Sequence, residues 1–150
     1  MWKKDPEKIK IIDCRTPEEY VFVGHAPMAL NMPGNCFSFK WDAEKKDFVL
    51  PESPNCVTLV KKRVKPTDIL LVMCRSGHRS AKCIERLAKA GFTKVYNIHD
   101  GFEGDKVQDK NDPDYGKRTK NGWRNFGLPW TYDLAANLIY LPVGKVQGGR

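Results

Sequence analysis

The chain reads as short apolar runs set between polar stretches, and the period of the apolar positions changes from run to run. Ile69-Leu70-Leu71-Val72-Met73 is an unbroken apolar run between Thr67-Asp68 and a polar loop. Its length and composition predict a strand buried on both faces, as in a parallel sheet. Residues 9–12, ending at Asp13-Cys14-Arg15, and residues 94–98, ending at His99-Asp100-Gly101, predict two more strands. A brief fourth, around Ala29–Asn31, lies between Pro27 and Pro33. Helical spacing fills the intervals. Thr16 reads as a cap with Pro17 behind it and Glu19 closing a capping box, for a short helix reaching about Val23. Val57, Val60 and Val64 share one stripe of a helix over 54–64. Ala81, Ile84, Leu87 and Ala88 share another, with Ser80 as the expected cap and Gly91 as the stop.

Two stretches depart from this alternation. Residues 34–55 set Phe37, Phe39 and Trp41 against polar neighbours, then run through Asp42-Ala43-Glu44-Lys45-Lys46 to Phe48-Val49-Leu50. That pattern predicts a β-hairpin or an ordered aromatic flap on the core. Residues 104–122 are rich in Asp, Lys, Asn and Gly, and Asp105, Asp109, Asp112 and Asp114 lack EF-hand spacing, so a solvated loop is expected. Residues 132–141 are mildly apolar and expected to dock as a last helix or strand, before a Gly-rich tail. Strands alternating with helices predict an α/β fold, a central parallel sheet with helices on both faces.

With 150 residues the chain makes one domain over 1–150, able to bury roughly 68–70% of its unfolded surface. The net charge of +8 raises the question of nucleic acid, but the lysines run from Lys3 to Lys145 interleaved with acids. The densest run, Lys61-Lys62-Arg63-Val64-Lys65, reads as the solvated end of a helix. No nucleic-acid partner is therefore expected, and a basic surface suits small anions instead. No apolar run approaches the ~20 residues of a membrane span, so no membrane insertion is expected. With no signal-peptide pattern the compartment stays open, cytoplasm by default and periplasm if a leader has been removed. The five cysteines, Cys14, Cys36, Cys56, Cys74 and Cys83, are odd in number and lack paired metal spacing, which argues against a disulfide scaffold or a zinc site. Cys83 falls just off the helical stripe and reads as a small packing residue.

Cys74 is the cysteine that carries chemistry. It sits where a strand ends and a helix is about to begin, so unpaired amides and the positive end of the helix dipole face it. Arg75 and Arg79 add fixed positive charge. Such surroundings depress a cysteine pKa to roughly 3.5–7.5. Gly77 lets the backbone turn inward where a side chain would block it. The expected site is a thiolate nucleophile inside an anion cradle. The ends Asp13-Cys14-Arg15, Cys74-Arg75 and His99-Asp100 should line one crevice, because ligands of open parallel sheets bind at the carboxyl ends of strands.

The loop Cys74-Arg75-Ser76-Gly77-His78-Arg79-Ser80 resembles the active-site loop of the rhodanese sulfurtransferases, with Gly three and Arg five residues after the cysteine. Cysteine-dependent phosphatases and arsenate reductases share the cysteine, cradle and arginine but place five residues between Cys and Arg, where this chain has four. The opening is similar to the same family over residues 11–33: Asp13-Cys14-Arg15, a Glu-rich helix, Gly24-His25 and a proline-flanked strand. Met28 stands where that family often has glycine. The strand and helix that usually precede the Asp-x-Arg strand are mostly absent, which would leave one edge or face of the sheet less covered. On this resemblance residues 34–55 and 104–122 are insertions in a core of about 9–130, with an extension over 131–150.

The resemblance implies a three-layer rhodanese-like domain that moves sulfane sulfur through a Cys74 persulfide. The donor would be a small sulfur anion such as thiosulfate. The acceptor would be cyanide, a thiol such as glutathione, or a protein thiol that leaves as a persulfide. Cys74 is the implied catalytic residue. Arg75, Ser76, Gly77, His78, Arg79 and Ser80 are the implied substrate-binding loop, with Arg79 orienting the donor's sulfonate and helping to hold the loop, Arg75 attracting anions, and Ser76 and His78 tuning access. Asp13 and Arg15 would brace the loop by charged hydrogen bonds, and His99 would be chiefly structural. No metal or organic cofactor is implied. The competing readings are a non-catalytic binding or regulatory domain, a phosphatase or arsenate reductase, and a thiol redox protein in which Cys14 resolves an oxidised Cys74.

Overall fold

The computed structural model describes residue 5 and residues 7–34, 40–49 and 55–141. In chain order the elements are β1 (Ile9–Asp13), α1 (Pro17–Phe22), β2 (Ala29–Asn31), β3 (Lys40–Asp42), β4 (Asp47–Val49), α2 (Cys56–Lys61), β5 (Ile69–Met73), α3 (His78–Lys89) and β6 (Val95–Asn97). The main sheet has the order β2-β1-β5-β6 and every pairing in it is parallel. Two apolar clusters lie on its faces, because successive side chains of a strand point to opposite sides. Ile12, Leu70 and Val72 join Cys56 and Val60 of α2 and Cys83 and Leu87 of α3. Ile11 and Met73 join Tyr20 of α1, Ala29 and Phe102, with Trp123 and Ile139 packed against them. Helices therefore cover both faces, and the expected three layers are present.

The start of α1 follows the sequence closely. Thr16 Oγ1 accepts from the Glu19 amide at 3.2 Å, and Glu19 Oε2 accepts from the Thr16 amide at 3.1 Å. Other expectations need correction. Ser80 is not the cap of α3: the helix starts three residues earlier than that cap implies, at His78, and Gly77 occupies the cap position with φ +89° and no side-chain cap bond. The left-handed turn at Gly77 brings the chain into the helix sooner, which makes Ser80 a buried residue of its first turn. Cys83, expected off the stripe, is fully buried, whereas Ala88 is exposed. The helix expected over 54–64 is the shorter α2, closed by bonds from the Arg63 and Val64 amides to the Val60 carbonyl, and Pro54 lies outside the described residues.

The expected hairpin exists as β3 and β4, with Trp41 opposite Phe48, while Cys36, Phe37 and Phe39 lie outside the described residues. Residues 132–141 form neither helix nor strand. They dock as an irregular segment whose turn at 135–139 places the Leu138 carbonyl 2.8 Å from the Asn31 amide, so it covers the edge of β2. Thr131 and His25 exchange a pair of backbone bonds at 2.9 Å beside it.

Candidate active site

Register brings the first two partners together. Asp13 pairs with Met73 across β1 and β5, so the next residues, Cys14 and Cys74, are neighbours at the carboxyl ends of adjacent strands. The Cys14 amide donates to the Met73 carbonyl at 2.8 Å. Both cysteines point to the α2/α3 face, where Cys56 and Cys83 also lie, their Sγ atoms 3.3 Å apart. These four thiols form one buried group of free cysteines.

The chain then turns around the Cys74 sulfur. Sγ accepts from the Gly77 amide at 3.1 Å and lies 3.4 Å from Ser80 Oγ. Ser80 Oγ is also 3.0 Å from the Gly77 carbonyl, and its single proton goes to the sulfur when that is a thiolate. The hydrogen bond from the Cys14 thiol, those from Ser80 and the charge of Arg79 together outweigh burial and bring the Cys74 pKa down to about 4. Cys14 is the counterpart: the hydrogen bonding it shares with Cys74 and Cys83, with full burial, pushes its own thiol up, so it stays protonated, and its one proton serves either Cys74 or Cys83, whose pKa Cys14 likewise helps bring down to about 4. The sequence-level expectation of a stabilised thiolate rested on helix dipole and arginines. The structure gives the neighbouring thiol of Cys14, which the sequence places in the same crevice as a candidate resolving cysteine, a hydrogen-bonding role toward the thiolate.

The loop is held from behind by the end of β6 and the segment after it. Phe102 and Glu103 amides donate to the Cys74 and Arg75 carbonyls at 2.8 and 2.9 Å, and Asn97 Nδ2 donates to the Gly77 carbonyl at 3.1 Å. A Cβ at Gly77 would stand 1.6 Å from the His99 carbonyl oxygen, so only glycine fits there. His99 thus meets the loop through its backbone, while its side chain is 96% exposed.

The charged residues divide their work differently from expectation. Arg79 does not stand open to an anion: its guanidinium binds Glu19 in a fork, at 2.8 and 2.6 Å. Burial works against the charge of Arg79, and the bonds to Glu19 overcome it and raise the pKa. Glu19 was read only as half of a capping box, and its second partner lies 60 residues away. Arg15 and Asp13, both fully buried, form a forked pair with contacts of 2.7–3.1 Å. Arg15 also donates to the Gly24 carbonyl at 2.7 Å and lies 4.2 Å over the Phe102 ring. Their bracing reaches the loop through Phe102 rather than by direct contact. Arg75 and His78 are exposed, with His78 Nδ1 3.5 Å from Ser76 Oγ. Beside Ser76 and His78 opens a groove of about 870 Å³ whose other wall comes from residues 105–120. Among the described residues no cluster of His, Cys, Asp or Glu could hold a metal ion, and no helix is long and apolar enough to cross a membrane.

A sequence profile of the Rhodanese-like domain matches residues 2–107. The chain belongs to the rhodanese family. Among its relatives, the uncharacterized protein RC0915 of Rickettsia conorii is 31% identical over 122 residues, 81% of this chain and 82% of that protein. Thiosulfate sulfurtransferase 16, chloroplastic, of Arabidopsis thaliana is 32% identical over 93 residues, covering 62% of this chain and 70% of that protein. The crystal structure of Rv0390 from M. tuberculosis superposes with a TM-score of 0.61 at 26% identity over 88% of this chain and 92% of that one. The rhodanese match ends at residue 107, so most of the polar segment 104–122 and all of the docked segment 131–141 lie outside it.

Proposed function

We propose that this rhodanese is a sulfurtransferase that carries sulfane sulfur on Cys74. The observation that carries the reading is the environment of one atom: Cys74 Sγ accepts from the Gly77 amide at 3.1 Å, beside Ser80 Oγ at 3.4 Å, at the start of a twelve-residue helix. With its pKa brought down to about 4, the sulfur is a thiolate at neutral pH. In the first half-reaction the thiolate attacks the outer sulfur of thiosulfate. The S–S bond of the donor breaks, sulfite leaves with its electron pair, and a Cys74 persulfide anion remains. In the second, cyanide or a thiolate attacks the terminal sulfur, takes it as thiocyanate or a new persulfide, and regenerates the Cys74 thiolate. No net oxidant or proton is consumed with cyanide. The 1% exposure of Cys74 suits attack on a slim terminal sulfur rather than on a tetrahedral phosphate. Arg75, exposed on the loop, attracts the anionic donor. Arg79, engaged by Glu19, acts by holding the loop and through its charge on the sulfur.

Intact mass after incubation with thiosulfate tests this. The expected result is a gain of one sulfur atom, absent in Cys74→Ser and removed by cyanide with release of thiocyanate. No added sulfur from thiosulfate or from a polysulfide would shift the reading to a binding domain.

A further inference from the structure

The groove beside the loop is far larger than a thiosulfate ion needs. At about 870 Å³ it lies within the roughly 300–1,000 Å³ of small-molecule sites. Ser76 and His78 wall it on the loop side, Arg118 and Lys120 bring cationic groups, and Asp109 and Asp112 bring carboxylates. Asp109 and Asp112 each accept a backbone amide, from Asn111 at 2.9 Å and from Asp114 at 2.8 Å, which fixes their carboxylates and leaves capacity to meet an ammonium. Arg118 is half-buried and donates to the Gly104 carbonyl. Its guanidinium is set against burial and against the charges of Arg75 and Arg79, with Glu103 and Asp105 only partly offsetting them, and its pKa is lowered accordingly. The positive charge of both loop arginines thus reaches Arg118. Glu19 neutralises Arg79, and among the cations that line the groove, Lys106, Arg118 and Lys120, Arg118 is the guanidinium, able to meet an incoming carboxylate with two parallel bonds.

On the reading of Cys74 as the sulfur carrier, we propose that this groove seats the sulfur acceptor, a small thiol bearing carboxylates and an ammonium, and that Arg118 positions it by taking a carboxylate. Its polar, two-signed lining, with Val107 the one apolar residue, suits a zwitterionic peptide thiol. A protein acceptor would ask for a broad interface with an apolar centre. The step is the second half-reaction: the acceptor thiolate attacks the terminal sulfur of the Cys74 persulfide, the S–S bond of the enzyme breaks, and the acceptor leaves as a persulfide while Cys74 returns to thiolate.

The test uses glutathione, its dimethyl ester and 2-mercaptoethanol as acceptors with thiosulfate as donor. In the wild-type protein kcat/KM for glutathione should exceed that for the diester by roughly tenfold, the scale of one charge-assisted contact. In Arg118→Ala that preference should collapse, with the ratio of kcat/KM for glutathione to that for 2-mercaptoethanol also falling roughly tenfold, and Arg118→Lys should restore part of both. A wild-type protein indifferent to esterification, or an Arg118→Ala variant that loses both thiols equally, overturns the assignment. Calorimetric binding of S-methylglutathione to Cys74→Ser separates this from the catalytic reading. Binding that depends on Arg118, together with a wild-type chain that takes no sulfur from thiosulfate, keeps the groove and removes sulfur transfer. Persulfide formation without such binding or preference keeps sulfur transfer and removes the groove.

Discussion

Cys74 and Cys14 show how one residue's chemistry is made by another. The Cys74 pKa is brought down to about 4, with the hydrogen bond from Cys14 the leading cause, whereas an unfolded cysteine titrates at about 8.5. Stability contributed by the native thiolate is therefore fully present above about pH 8.5 and is lost as pH falls toward the folded value of about 4. Alkylation of Cys74 by iodoacetamide should proceed at a constant rate between about pH 6 and 8, and fall with a midpoint near 4. Cys14→Ala should move that midpoint up by about one unit, the equivalent of a hydrogen bond to a charged group. An unmoved midpoint would reduce Cys14 to a packing residue. From the sequence alone Cys74 was legible as a nucleophile, because strand, glycine, arginine and helix are all within a few residues of it. Cys14 as a donor was not, since only the pairing of β1 with β5 sets the two side by side.

The elements themselves were the most legible part. The capping box at Thr16 and Glu19, the apolar run of β5 and the stop at Gly91 each depend on residues that touch along the chain, so local pattern suffices. The start of α3 is not legible from its capping residues, because this helix is opened by a backbone turn at Gly77 rather than by the side chain of Ser80. That turn is stringent. Gly77 combines φ +89° with a virtual Cβ 1.6 Å from the His99 oxygen, whereas Gly91 has φ +98° and open space around it. Gly91→Ala should cost about 1 kcal/mol, the strain of a left-handed residue alone. Gly77→Ala should cost more, about 3 kcal/mol or beyond, and sulfur loading at Cys74 should fall with it. Urea unfolding of the two variants measures the difference, and equal losses would mean that His99 yields to the new methyl.

At the scale of the whole molecule, the forked pair of Glu19 and Arg79 ties α1 on one face of the sheet to α3 on the other, across the strand ends. Each side chain is just over four-fifths covered, with 18% and 19% exposure, so the pair should couple by about 1 kcal/mol. A double-mutant cycle with Glu19→Gln and Arg79→Ala should find the double variant more stable than the sum of the single losses predicts. Strict additivity would leave the pair without energetic effect. The sequence by itself determined the strand and helix periods, the position of the thiol at a strand end, and the family resemblance carried by the loop and the opening segment. These are properties of neighbours along a chain, governed by steric and hydrogen-bonding preferences a few residues wide. The tertiary structure alone decided that Glu19 takes Arg79, that four cysteines meet on one face, that residues 131–141 cover β2, and that Arg118 faces the loop. Those contacts join residues far apart in sequence, and only strand register and the packing of both faces bring them within reach.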